Sequence, residues 1–437
     1  MLYPGDFLER TTNVLAGCKR QVQIHLEPDD LKPHYQHAYQ AAQAEITMKG
    51  FRKGKVPISV IRQTMGRQIE TDALETIADS EFRKYAKDEA VPVVGTPALV
   101  DIRKESDAVT FVIEYEILPE INLGEYRNIE VDKPVREATD ADVQREIEYL
   151  RMKAATFQPA EQITDTQFVA TISMNEVDKE TSMPIIGAET TETKVYLDDD
   201  SVDMHLRNSL HNGTVGTVFT YVAETADPNA QPPSYRVTIT DIQKVVPADF
   251  TDEFVEQITE NHIHTTEELK ADIRRQIQAY FDQMARQSVE NQIVDKLVLA
   301  HDFDVPESLT HAVIHQLFDD FKKRNEGDPR LEKLTAHDLE HELRDPAVRI
   351  AKWELIRQQI IAKEGITLTK EDIDSAAERT GLPVDQLNLL MARSESFADR
   401  LLSEKAMDTL LGYAVINTIP APTDESAEAV FPEESHS

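Results

Sequence analysis

Two histidine pairs are the first residues whose types and spacing suggest chemistry. His311 with His315, and His337 with His341, each stand four positions apart and would share a helical face, as zinc chelation requires. Neither pair has a glutamate directly after its first histidine, as the hydrolytic zinc motif does, and no third ligand stands in register. Solvated positions on long helices are therefore expected, with no metal and no cofactor. Asp198-Asp199-Asp200 lacks the spacing and glycine of a calcium loop and reads as a solvated turn. A glycine-rich phosphate loop, a serine nucleophile elbow and a dinucleotide fingerprint are all missing, so no catalytic residue is assigned.

A stronger local signal is the run Lys49-Gly50-Phe51-Arg52-Lys53-Gly54-Lys55-Val56-Pro57. Its two glycines permit a tight turn that holds Phe51 and the cations Arg52, Lys53 and Lys55 at one tip. Such a tip can pair with RNA phosphates while its aromatic ring stacks or enters an apolar crevice. Taken alone, an ordinary basic surface loop fits the same residues.

The whole chain constrains that choice. It has 437 residues, 46 basic and 80 acidic side chains and a net charge of −34, which argues against general nucleic-acid binding, including DNA. The charge is uneven. Residues 1–118 hold 15 basic and 18 acidic side chains, a net of −3, and the other 319 residues hold 31 and 62, a net of −31. Lys49 to Arg67 contains six bases (Lys49, Arg52, Lys53, Lys55, Arg62, Arg67) and no acid. The single cysteine, Cys18, excludes an internal disulfide and fits a reducing, cytoplasmic setting. No secretory leader and no run of ~18 apolar residues is visible, so no membrane partner is expected.

These side chains must be positioned by several distinct elements. Val22, Ile24 and Leu26 alternate as a half-buried strand, and Asp29 and Asp30 offer an N-cap for a helix to about Met48. Pro57 suits the first turn of a short helix over Ile58–Met65, with a longer helix from Ile69 to Ala90. Runs at 98–104 and 108–118 flank the turn Glu105-Ser106-Asp107 as a hairpin. Thr139-x-x-Asp142 caps a helix over Val143–Lys153. Strand-like runs at 167–173, 217–223 and 235–242 make a small β-rich segment. From Val246 the pattern turns helical. Asp252 opens a short helix and Thr265-x-x-Glu268 caps a long one to about His301. A third runs from Pro306 to Arg324. Asp345-Pro346 splits or starts a further helix that ends before Gly365. Thr369-x-x-Asp372 caps another, closed by Gly381, and the last covers about Ser396–Val415. After Pro420 five acids and no base predict disorder. The fold class is multidomain α+β.

Gly50-Phe-Arg-Lys-Gly-Lys-Val-Pro57, followed by Ile61 and Gly66, resembles the ribosome-docking signature of the trigger factor family. The resemblance continues at Phe111–Leu123, Tyr126–Val131, Asp252–Glu256, Phe303–Pro306, Ala362–Thr369 and Leu402–Met407. It implies an α+β ribosome-binding domain over 1–118 and a linker and helix over 119–160. An FKBP-like prolyl-isomerase domain over 161–245, an all-α chaperone domain over 246–420 and an acidic tail over 421–437 would follow. Gly50, Phe51, Arg52, Lys53, Gly54, Lys55 and Pro57 would contact the large ribosomal subunit, both protein and rRNA, at the tunnel exit, or shape the turn that does. Nascent or unfolded polypeptides would be the clients, and a homodimer stays open. The family usually carries Val/Ile-Pro-Gly-Phe-Glu beneath its proline pocket. Here Asp198–Leu210 has no Pro, Gly or Phe, so isomerase activity is left open. An isomerase working off the ribosome and a non-ribosomal assembly scaffold are the alternatives.

Overall fold

The alternation of Val22, Ile24 and Leu26 buries all three on one face of a sheet, opposite Ile113, Phe111 and Val109. The computed structural model describes residues 9–105, 108–178, 181, 183, 185, 190–223, 232–327, 331 and 333–421. The turn at Ser106-Asp107 and the tail from residue 422 lie outside these residues.

The first sheet contains β1 (Glu9–Val14), β2 (Lys19–Leu26), β3 (Val93–Glu105) and β4 (Ala108–Ile117), all antiparallel in the order β1-β2-β4-β3. Helices α1 (Pro28–Glu45) and α2 (Ile58–Asp88) supply Leu31, Leu74, Ile77, Phe82 and Tyr85 to its core. Asp30 does not cap α1 directly. It is the third helical residue, and its carboxylate accepts the Glu27 backbone N–H at 3.1 Å. The two helices expected over 58–65 and 69–90 are one. Gly66 lies inside α2, where a Cβ would come within 3.0 Å of the Tyr39 hydroxyl, so its glycine serves close packing rather than a break.

After a two-stranded pairing partner, β5 (Glu130–Val135), comes α3 (Asp140–Lys153), capped by Thr139 and Asp142 as expected. A second sheet contains β6 (Thr156–Pro159), β7 (Phe168–Val177), β8 (Thr191–Tyr196), β9 (Val218–Val222) and β10 (Ser234–Val246). Its order is β6-β10-β7-β8, with β9 also paired to β10. Helix α4 (Met204–Leu210) drives Leu206 and Leu210 into the core formed by Ile163, Ala170, Ile172, Val237 and Ile239.

Helices α5 (Asp252–Ile258), α6 (Thr266–Ala300), α7 (Glu307–Arg324), α8 (Glu340–Glu364), α9 (Lys370–Thr380), α10 (Val384–Arg393) and α11 (Glu395–Tyr413) follow, then β11 (Val415–Pro420), which pairs with β5. Three readings need correction here. Pro346 neither splits nor starts α8, which begins at Glu340 and carries the proline through its second turn, with Ala347 buried beside Ile314 and Phe318. Helix α10 was not expected. The final helix stops at Tyr413, since the Val415 N–H leaves it to donate to Ile129 O at 2.9 Å.

The chain divides into two units, Met1–Asp132 with Ser288–Asn417, and Lys133–Gln287 with Thr418–Ser437. In the first, the sheet meets α7 closely. Glu116 accepts the backbone N–H groups of Glu307 and Ser308 at 3.1 and 2.8 Å, capping α7 from β4. The buried Cys18 thiol donates to Asp304 O at 3.2 Å, and its burial pushes its pKa up.

Glu364, at the end of α8, ties the linker to α11. It accepts from the Tyr126 hydroxyl at 2.5 Å, from Arg127 Nη2 at 2.8 Å and from the Tyr413 hydroxyl at 3.1 Å. These bonds hold its carboxyl down to about 2 from an ordinary 4.5. A folded-state value below the unfolded one gives stability that is complete above pH ~4.5 and is lost as pH falls toward ~2. The wild-type melting temperature should therefore fall more steeply than that of Glu364→Gln across this window. Parallel curves would show that the carboxylate contributes nothing.

Candidate functional site

The 49–57 loop joins α1 to α2, and two short turns shape it. The Phe51 N–H donates to Met48 O at 3.0 Å, and the Lys55 N–H donates to Arg52 O at 2.9 Å. Each turn needs one left-handed residue, supplied by Gly50 at φ +94° and Gly54 at φ +74°. A Cβ at Gly50 would meet nothing within 4 Å, so backbone conformation and not space selects glycine there.

Val56 anchors the loop from beneath. It is fully buried with Tyr39 and Ile61, and its carbonyl accepts Gln43 Nε2 at 2.6 Å. Tyr39 in turn donates to Glu70 at 2.6 Å and lies under the Arg62 guanidinium, 5.1 Å from the ring centroid. Burial, then the Glu70 bond, pushes the Tyr39 hydroxyl pKa up. Pro57 is the N-cap of α2, not a first-turn residue, and its carbonyl accepts the N–H groups of Val60 and Ile61.

On this platform Phe51 is 41% exposed, and Lys49, Arg52, Lys53 and Lys55 face solvent. None of these four cations has an ion-pair partner among the described residues. The first turn of α2 holds no acid, so the partial positive charge of its N-terminus adds to theirs. Six of the expected residues (Gly50 to Lys55) thus form one exposed tip, and Pro57 closes it. Val56 and Gly66 stand in the sequence motif without a role, and Gln43 and Tyr39 lie outside it, although an apolar residue wedged between Lys55 and Pro57 was a visible signal.

Among the described residues, the histidines form no centre. His337 Nδ1 lies 2.8 Å from Glu340, and His311 lies 3.6 Å from Glu307. Among the described residues, no group of three or more His, Cys, Asp or Glu is arranged to hold a metal ion, and no helix is long and apolar enough to cross a membrane.

Two family models match the chain. The model described as bacterial trigger factor protein matches residues 9–150, which include the whole loop, and the trigger factor C-terminus model matches 265–412. The chain belongs to the trigger factor family. Full-length relatives agree. Trigger factor of Salinibacter ruber is 26% identical over 431 residues, covering 92% of this chain and 93% of the relative. That of Chloroherpeton thalassium is 24% identical over 438 residues, covering 98% and 99%. A solved trigger factor chaperone structure is similar at 18% identity and TM-score 0.49, covering 92% of this chain and 99% of that one. The trigger factor at hand is thus a chaperone that assists protein folding, and its family membership implies binding of ribosomes and nascent chains.

Residues 151–264 lie outside both trigger factor models. There, Phe168 is buried in the sheet core, while Phe219, Tyr221 and Tyr235 pack against it half-buried. In the 198–210 run, Asp203 caps α4 by accepting the Leu206 N–H at 2.9 Å. The helical region exposes apolar side chains, including Leu299 on α6, Phe321 on α7 and Leu389 and Leu390 on α10.

Proposed function

We propose that the chain docks on the large ribosomal subunit at the tunnel exit through Gly50, Phe51, Arg52, Lys53, Gly54, Lys55 and Pro57, pairing with protein and rRNA there. The observation that carries this reading is a firmly framed tip whose four cations lack acidic partners among the described residues. Held at the exit, in the cytoplasm, the helical region would meet nascent segments, keep them open by reversible apolar contact and so assist folding and export. The mechanism is holding, with no bond made or broken. Within it we assign 1–118 to ribosome binding, 119–160 to the linker and helix, 161–245 to the FKBP-like part and 246–420 to client holding.

Salt tests the docking. If Arg52, Lys53 and Lys55 each neutralise one phosphate, raising salt from ~50 to ~200 mM should weaken ribosome binding about 20- to 40-fold. Pelleting across that range would measure it, and a flat response would remove phosphate from the contact.

A further inference from the structure

Among the described residues, strand β9 is an edge that lacks the usual protections. Edges are normally blunted by charge, proline, bulges or extreme shortness, because a bare edge templates pairing with another chain. The other edges of both sheets comply. Strand β1 carries Glu9 and Arg10, β3 carries Pro97, Asp101, Arg103 and two register shifts, the four-residue β6 ends in Pro159, and β8 carries Glu192 and Lys194. By contrast β9 reads Val218-Phe219-Thr220-Tyr221-Val222, wholly β-branched or aromatic, in a chain that is 29% charged.

Its register leaves one side open. Ala223 N–H donates to Pro233 O and Ile239 N–H donates to Thr217 O, so the odd-numbered positions face β10. The N–H and C=O groups of Val218, Thr220 and Val222 therefore point away from it, and no described strand runs along that side. Beside it lies a groove of about 690 Å³ lined by His205 and Ser209 of α4 and by Thr220, Val222, Ala223 and Pro232. Val218 and Val222 are 56% and 44% exposed, and Met204, on the first turn of α4, is 71% exposed.

We propose that this edge binds client polypeptide in extended form, as an added strand on β9 whose alternate side chains enter the groove beside α4. Backbone donors and acceptors would supply affinity without regard to sequence, and the groove would favour small apolar and hydroxyl side chains. A second copy fits less well. Five residues span only ~17 Å, too little to approach the ~1,000 Å² of a stable interface, and two bodies of charge −34 repel. The proposal rests on the chaperone reading and names one place where clients sit.

The test uses the full chain and a labelled, proline-free nine-residue peptide alternating valine with threonine. Methylating the backbone nitrogens on one edge of the peptide should weaken binding at least tenfold, as should Val218→Lys with Val222→Lys in the protein. Both valines face solvent, so the variant should keep the wild-type melting curve, and the methylated peptide needs no variant at all. Equal binding of the methylated peptide, or an unchanged affinity for the lysine variant, would overturn the proposal. So would a sedimenting dimer that the lysine variant dissociates. Aggregation suppression by the wild-type chain is measured alongside. Its absence would count against the chaperone reading, while the peptide comparison would still decide the edge.

Discussion

Replacing Phe51, Arg52 and Lys53 together with alanine should abolish co-sedimentation with ribosomes while leaving aggregation suppression intact. Two of the unpaired cations go, each able to release a counterion from phosphate, and so does the half-exposed ring at the tip. Stacking or burial of one aromatic contributes about 1–3 kcal/mol, so the combined loss is about a hundredfold or more. The loop itself should keep its shape, because Gly50, Gly54, buried Val56 and the Gln43 bond are untouched. That separates a lost contact from a collapsed loop. Undiminished pelleting of the triple variant would refute the loop as the docking site.

The second large effect is expected far from the tip. Gly95 in β3 sits at φ +70°, and a Cβ there would stand 2.5 Å from Ser308 Cβ on α7. A β-branched residue at positive φ costs about 1–3 kcal/mol, and forcing α7 outward costs a similar amount again. Gly95→Val should thus destabilise the first unit by about 3–5 kcal/mol and loosen the Glu116 cap on α7. Calorimetry should show the loss, and limited proteolysis should open new cleavage near residues 301–306, between α6 and α7. A melting temperature within ~1 °C of wild type would mean that sheet and helix are not held together here.

Local physics was legible in the sequence. The loop announced itself through two glycines and a basic run without acids, and three capping boxes, at Thr139, Thr265 and Thr369, stand where their spacing put them. What stayed hidden depended on partners distant in sequence. Gly66 looks like a break until Tyr39 is seen against it. Strand β1, Glu-Arg-Thr-Thr-Asn-Val, has no apolar alternation because it is a solvated edge, held by its pairing to β2. The end of α11 is set by Ile129, nearly three hundred residues earlier, and no propensity scale carries that. Val56 was visible as an apolar residue, but its role as the loop's anchor needed the pocket made by Tyr39 and Ile61.

The knot of side chains around Glu364 also bears on how this protein comes into being. Tyr126 and Val131 share a core with Val289, Ile293, Ile356 and Leu410, so the first 132 residues cannot finish their packing when they leave a ribosome. They must wait for roughly 280 more residues, about 15–60 s of synthesis at ordinary elongation rates. For that interval linker residues that will be buried lie open to water, and the sheet lacks the helix it caps. During that interval the unfinished chain shows water the kind of apolar surface that chaperones cover.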